Sequence, residues 1–190
     1  MIDSNDLPFH QHVMFLYSNG EYEVATKYVN EAVRKGHLTV YVPANTNNEL
    51  HLSESPSEVT DYEEGVNRGN LLTLDSRSFY KFALAGNMEP FEELKVMLEE
   101  AIKERIACKK NDEVIIVIDV AAKLAGNQKF EECLNLEKWW QEIHSEWLQK
   151  GLKVTVICPH PSPIFDNHDF THYKQTISSL HNIIMAPRLG

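Results

Sequence analysis

Val114-Ile115-Ile116-Val117-Ile118 is an unbroken run of β-branched residues that stops at a carboxylate, Asp119. No position in the run is polar, so the segment reads as a strand buried on both faces, as in the middle of a parallel sheet. Small residues follow it, Val120-Ala121-Ala122. A lone Asp at the end of such a strand sits at the carboxyl edge of the sheet, where open α/β folds place their ligands. In P-loop ATPases an Asp in this position also holds magnesium near a nucleotide. Asp119 therefore poses the question of whether a phosphate loop accompanies it.

The remaining elements agree with that centre. His12-Val13-Met14-Phe15-Leu16-Tyr17 is an apolar strand, and Val24, Ala25, Tyr28, Val29, Ala32 and Val33 follow at helical spacing up to Gly36. Leu38 to Val42 is a second strand, completing a βαβ unit. Ala44 to Ser55, rich in Asn and Ser, reads as a mobile loop, and Pro56 to Arg68 as a helix stopped by Gly69. Leu71 to Leu74 is a short third strand. Ser76 to Leu84 reads as loop with a helical turn, and Glu89 to Ala107 as a long amphipathic helix. After the central strand come a glycine-interrupted stretch (Ala121 to Lys129), a long helix from Phe130 to Lys150 and a strand from Val154 to Cys158. A helix from about Asp166 to Leu180 and a last strand, Asn182 to Met185, close the chain. Strands alternating with helices give an α/β three-layer sandwich with a mostly parallel central sheet. Met1 to Gln11 reads as a flexible lead, and residues 12–190 as a single domain.

Composition narrows the function. A formal charge of −10, with the 18 Lys and Arg scattered, argues against nucleic acid, which calls for a basic stripe. The apolar runs are strand-sized, far short of the ~20 residues that span a bilayer. The polar start lacks the pattern of a signal peptide. Cys108, Cys133 and Cys158 are dispersed with no C-x-x-C, which fits reduced thiols in a cytoplasmic protein. For Cys158 the expected role is that of a small buried hydrophobe.

The familiar catalytic signatures are missing. A phosphate loop belongs where the first strand meets its helix, at Tyr17-Ser18-Asn19-Gly20-Glu21-Tyr22-Glu23. That stretch has one glycine, no Lys before Lys27, and glutamates at the positive end of the helix dipole, where they would repel phosphate. No G-x-G-x-x-G or G-x-S-x-G is present. Among nine histidines, His10 and His12 alternate. His168 and His172 stand four apart near Asp166, Asp169 and His160, a spacing that can ligate zinc. The aspartates read as helix caps and the histidines as solvated surface, so no metal and no cofactor is expected. On the long helix, Trp140 and Trp147 share a core-facing side while Trp139 points elsewhere. Glu131, Glu132, Glu137, Glu142 and Glu146 read as its solvated face.

Beyond these readings there is a resemblance. His12-Val13-Met14-Phe15-Leu16-Tyr17-Ser18, the helix end Arg34-Lys35-Gly36-His37, and Val40-Tyr41-Val42 resemble the opening of the MEDS domain, a sensory module of methanogens and methylotrophs. The similarity continues through Gly69-Asn70-Leu71-Leu72-Thr73-Leu74, Met88-Glu89-Pro90-Phe91, Ile118-Asp119, Asn135-Leu136-Glu137 and Val154-Thr155-Val156-Ile157-Cys158. It runs from about His10 to Met185. It implies an archaeal or bacterial relative of RecA-type and circadian-clock ATPases whose phosphate loop has degenerated. It also implies a ligand-sensing or signalling module of the kind often fused to a kinase or DNA-binding unit. The chain departs from that pattern in three ways. No segment reads as an output domain, Asp119 stands where a Gly-Glu pair is expected, and the Asn-rich loop is its own.

Together these readings describe a non-enzymatic cytoplasmic sensory domain that works through an unidentified small molecule or signalling protein, and a homodimer is compatible with it. The ligand-binding candidates are Tyr17, Ser18 and Asn19 after the first strand, Asp119 after the central strand, and His160 after the fifth. His12 joins them from the resemblance. The alternatives are a residual nucleotide-binding protein using Asp119 with a nonstandard loop, and a scaffold that meets a separate kinase or ATPase through an exposed aromatic face.

Overall fold

The structure, a computed structural model, describes residues 9–18, 23–42, 59–60, 62–166 and 168–185. The expected phosphate-loop position from Asn19 onward and the Asn-rich loop lie outside the described residues.

Six strands form one all-parallel sheet: β1 (His12–Tyr17), β2 (Leu38–Val42), β3 (Leu71–Thr73), β4 (Val114–Ile118), β5 (Val154–Pro161) and β6 (Ile183–Met185), in the spatial order β3-β2-β4-β5-β1-β6. All five residues of β4 are buried, as the β-branched run requires of a strand with neighbours on both sides. Its register pairs Ile116 with Val40 on one side and Val156 on the other.

The helices are α1 (Glu23–Arg34), α2 (Tyr62–Asn67), α3 (Ser76–Leu84), α4 (Glu89–Ala107), α5 (Val120–Gly126), α6 (Phe130–Gln149), α7 (Ser162–Asp166) and α8 (Thr171–Ser179). Their distribution follows from crossover handedness. The connections β1 to β2 and β2 to β3 run toward one edge of the sheet and place α1 and α2 on one face. The three later connections run the other way and place α3, α4, α5, α6 and α8 on the opposite face. This is the three-layer α/β sandwich expected from the alternating elements.

Local chemistry explains the element ends. Gly36 has φ +74°, so α1 stops in a left-handed residue whose N–H donates to Val33 O, while His37 N–H returns to Ala32 O. Gly65 lets α2 approach closely, since a Cβ there would lie 3.0 Å from Val33 Cγ1 and 3.1 Å from Leu71 Cβ. Buried Arg105 near the end of α4 donates to Gly36 O, Asn111 O and Asn70 Oδ1, joining chain ends from both faces.

Several expectations change. Ser76 to Leu84 is a full helix because Asp75 caps it, and the stretch after Asp119 is helical as α5. The helix expected from Asp166 to Leu180 is instead α7, a 3₁₀ turn (His168–Phe170) and α8. β5 continues through Pro159 to Pro161. Phe9 and His10 precede β1, His10 with φ +55° and its ring against Glu113, so His10 lies outside the strand that carries His12. Glu137 is fully buried, contrary to its assignment to a solvated face, and Trp139 is buried along with Trp140 and Trp147.

Candidate functional site

Parallel strands bring Tyr17, Asp119 and the end of β5 to one edge of the sheet. β2 and β4 are neighbours, yet β2 leads on toward β3 with α2 on one face, whereas β4 leads to β5 with α5 and α6 on the other. The carboxyl ends of adjacent strands whose connections diverge are the usual ligand position in open α/β sheets. Asp119 lies there, its N–H donating to Val42 O at 3.0 Å and its residue wholly buried. Burial first, and the Asp119 charge second, raise the Tyr17 phenol to about 12. Ser18 Oγ meets Ser162 Oγ, at the start of α7, at 3.1 Å. Tyr17, Ser18 and Asp119 thus lie at this edge, and Asn19 is outside the described residues.

His12 and His160 do not belong to that edge constellation. Residues alternate along a strand, so His12 of β1 and Cys158 and His160 of β5 all point toward the α6 face. There they surround Glu137 of α6. His160 Nε2 lies 3.1 Å from Glu137 Oε1, and that ring N–H donates to the carboxylate. His12 Nε2 lies 3.3 Å and His181 Nε2 3.2 Å from the other oxygen, Oε2. Cys158 Sγ is 3.5 Å from His12 Nε2. These side chains have essentially no exposed surface.

The tautomers of two rings follow from their outer contacts. His12 Nδ1 is 2.9 Å from Leu180 O, and His181 Nδ1 is 2.9 Å from Ile177 O. A carbonyl only accepts, so each Nδ1 carries a proton, and each ring in its neutral form turns a lone pair inward at Nε2. Glu137 Oε2 and His181 Nε2 are both buried and face one another at 3.2 Å. Burial pushes the Glu137 carboxyl upward, but His181, His12 and His160 outweigh that and hold it well below the ordinary carboxylate range. Burial also lowers His12 and His160, raises the Cys158 thiol well above its usual value, and lowers nearby His144 to about 4. The nest is therefore a buried anion among imidazoles, of which His12 and His160 resist charging. Cys133 stands beside it, donating to Ala121 O and accepting from the Tyr173 hydroxyl.

No family model matches the chain, and no curated protein matches it.

His12 and His160 were legible as candidates, whereas Glu137, His181, His144 and Cys158 were not. A signal existed for Glu137: it falls in phase with Cys133, Leu136, Trp140 and Trp147, the buried stripe of α6. A carboxylate on an apolar stripe needs buried partners. His181 gives no such signal, because it occupies the turn before β6. Of the metal-spaced pair, His172 is exposed, and the side chain of His168 is outside the described residues. No helix among the described residues is long and apolar enough to cross a membrane.

Proposed function

We propose that this chain is a non-enzymatic sensory or signalling domain that binds a small ligand at the carboxyl edge of its sheet. The observation that carries the reading is Asp119, a buried carboxylate where β2 and β4 diverge, within electrostatic reach of Tyr17. The resemblance to the MEDS domain points the same way, toward a RecA-like sheet whose phosphate loop has degenerated and whose crevice has been turned to sensing. In this reading Asp119 recognises a hydrogen-bond donor or a cationic group on the ligand, and Ser18 and Tyr17 line the approach.

The test is thermal unfolding of the purified chain with small organic molecules, including any that co-purify and are identified by mass spectrometry, and with Mg-ATP. A ligand at 100 times its Kd adds about 2.7 kcal/mol to stability. An organic ligand should raise the melting temperature of the native chain and leave Asp119→Asn unshifted. A shift with Mg-ATP alone would replace this reading with residual nucleotide binding. No shift with any compound, and nothing co-purifying, would overturn both.

A further inference from the structure

The carboxyl edge leaves the buried nest under β1 and β5 unexplained, and the nest is the more unusual chemistry. With both rings neutral, three groups turn lone pairs toward one point: His12 Nε2, His181 Nε2 and Glu137 Oε2. Lone pairs at such separations in a dry core repel unless a cation lies between them. A proton shared by Glu137 and His181 leaves His12 Nε2 only the weak Cys158 S–H as a donor. Cys158 Sγ completes the set, and the four ligand atoms all lie within 4.8 Å of one another.

We propose that His12 Nε2, His181 Nε2, Glu137 Oε2 and Cys158 Sγ form a tetrahedral site for a zinc-class divalent cation. The spacing agrees with that geometry. Metal–nitrogen and metal–oxygen bonds of about 2.0–2.1 Å, with a metal–sulfur bond of about 2.3 Å, give tetrahedral edges of roughly 3.3–3.4 Å between light atoms and roughly 3.6 Å to sulfur. Three of the six edges are 3.3 Å (His12 to Glu137), 3.2 Å (His181 to Glu137) and 3.5 Å (His12 to Cys158), and the other three lie within 4.8 Å.

The surroundings match as well. Ligating histidines characteristically donate their other ring N–H to a carbonyl, as His12 does to Leu180 and His181 to Ile177. Ligating carboxylates are themselves hydrogen-bonded, as Glu137 Oε1 is by His160. Charge also balances. One thiolate, one carboxylate and two neutral imidazoles cancel a dication, so the loaded site adds no net charge to the core. Binding releases the Cys158 thiol proton to solvent, and no other bond changes. With four protein ligands the site is closed, which suits a structural or sensed ion and not a catalytic one. Its ligands join β1, α6, β5 and the turn into β6, an edge strand of three residues whose Ile184 is exposed. His181 is thus the ligand on the least embedded element, and release of residues 180–185 is the way in.

The proposal stands apart from ligand binding at Asp119. The test uses the full chain with exposed Cys108 changed to Ser to remove a competing thiol, stripped of metal and titrated with Co(II) and Zn(II) under reducing conditions. The expected result is one equivalent of Co(II), with tetrahedral d–d bands and a thiolate-to-cobalt charge-transfer band, displaced by Zn(II). X-ray absorption of the zinc form should show one sulfur with light-atom scatterers at the distances above, and Cys158→Ser should remove the sulfur. His181→Gln should weaken binding by about 100-fold or more, beyond the 10–100-fold typical of outer partners. Circular dichroism checks that this variant folds, and the absorption measurement on the native nest decides the matter if it does not. Absence of stoichiometric binding, a coordination shell without sulfur, or binding lost in His172→Ala but kept in His181→Gln would each overturn the site.

Discussion

The two faces of the sheet are built from the same strands but solve different problems. On the α1 face, Val13, Phe15, Tyr41, Ile115, Val117 and Ile157 meet Val29 and Ala32, and the contact is apolar packing. On the opposite face the same strands turn Met14, Ile116 and Val156 inward, and beside them His12, Cys158 and His160. One residue's shift along β1 separates Val13 in the plain core from His12 in the nest. Burial on the first face is stabilising through area removed from water. On the second, each polar group is tolerable only through its partners.

The largest expected effect tests that difference directly. Glu137→Met keeps roughly the side-chain volume but leaves the His160 N–H without its acceptor and the nest without its anion. Removing one partner of a buried pair costs about 3–5 kcal/mol. Ile115→Leu, the equivalent volume-conserving change on the plain face, should cost less than about 1.5 kcal/mol. Urea unfolding of both variants in chelator-containing buffer provides the measurement. Similar small losses in the two would show that the nest behaves as ordinary core and remove the distinction between the faces.

That distinction also explains which parts of the molecule the sequence revealed. The plain face was legible because packing writes itself locally: Val114 to Ile118 and the α1 stripe carry their burial in their own periodicity. The strands, their parallel arrangement and Asp119 at the carboxyl edge followed from that. The nest is assembled from residues as far apart as His12 and His181, and each looks ordinary in its own window. Glu137 sits among Glu131, Glu132, Glu142 and Glu146, so composition disguised it, although its phase with Trp140 did not. α3 and α5 were missed for another reason. They are short, and the cap or tertiary cover that stabilises them outweighs weak local periodicity.

A smaller effect is expected where the faces are tied together. Arg105 comes from α4 on the nest side, and its guanidinium reaches Gly36 O at 2.7 Å, Asn111 O at 2.7 Å and Asn70 Oδ1 at 3.0 Å, just before the amino ends of β2, β4 and β3. Charge-assisted hydrogen bonds contribute about 1.5–3 kcal/mol. Arg105→Ala should therefore lose about 2–3 kcal/mol in urea unfolding. Arg105→Lys should recover only part of it, because an ammonium cannot span the three acceptors. Full recovery by Lys would mean that charge near the helix ends, and not the fork geometry, joins the two layers.

The smallest effect concerns a carboxylate on the nest side that water still reaches, the counterpart of Glu137. Asp75 caps α3, accepting from Ser78 Oγ at 2.7 Å and Arg77 N–H at 3.2 Å. The Ser78 bond is the main reason its pKa lies below the ordinary 3.8, opposed by slight burial and helped by Arg77. Because the folded value is the lower one, the cap's ionisation contributes its full stability above about pH 3.8 and loses it as pH falls through the folded value. Asp75→Ala should cost about 1 kcal/mol at neutral pH, the usual loss of an N-cap. The gap between native chain and variant, followed by urea unfolding from pH 6 downward, should narrow below pH 3.8 as the native carboxylate protonates. Asp75→Asn should keep most of the cap with no such narrowing. A gap that stays constant into acid would mean that the Asp75 side chain stabilises α3 by shape and hydrogen bonding alone. Charge would then matter on this face only where water is excluded from it.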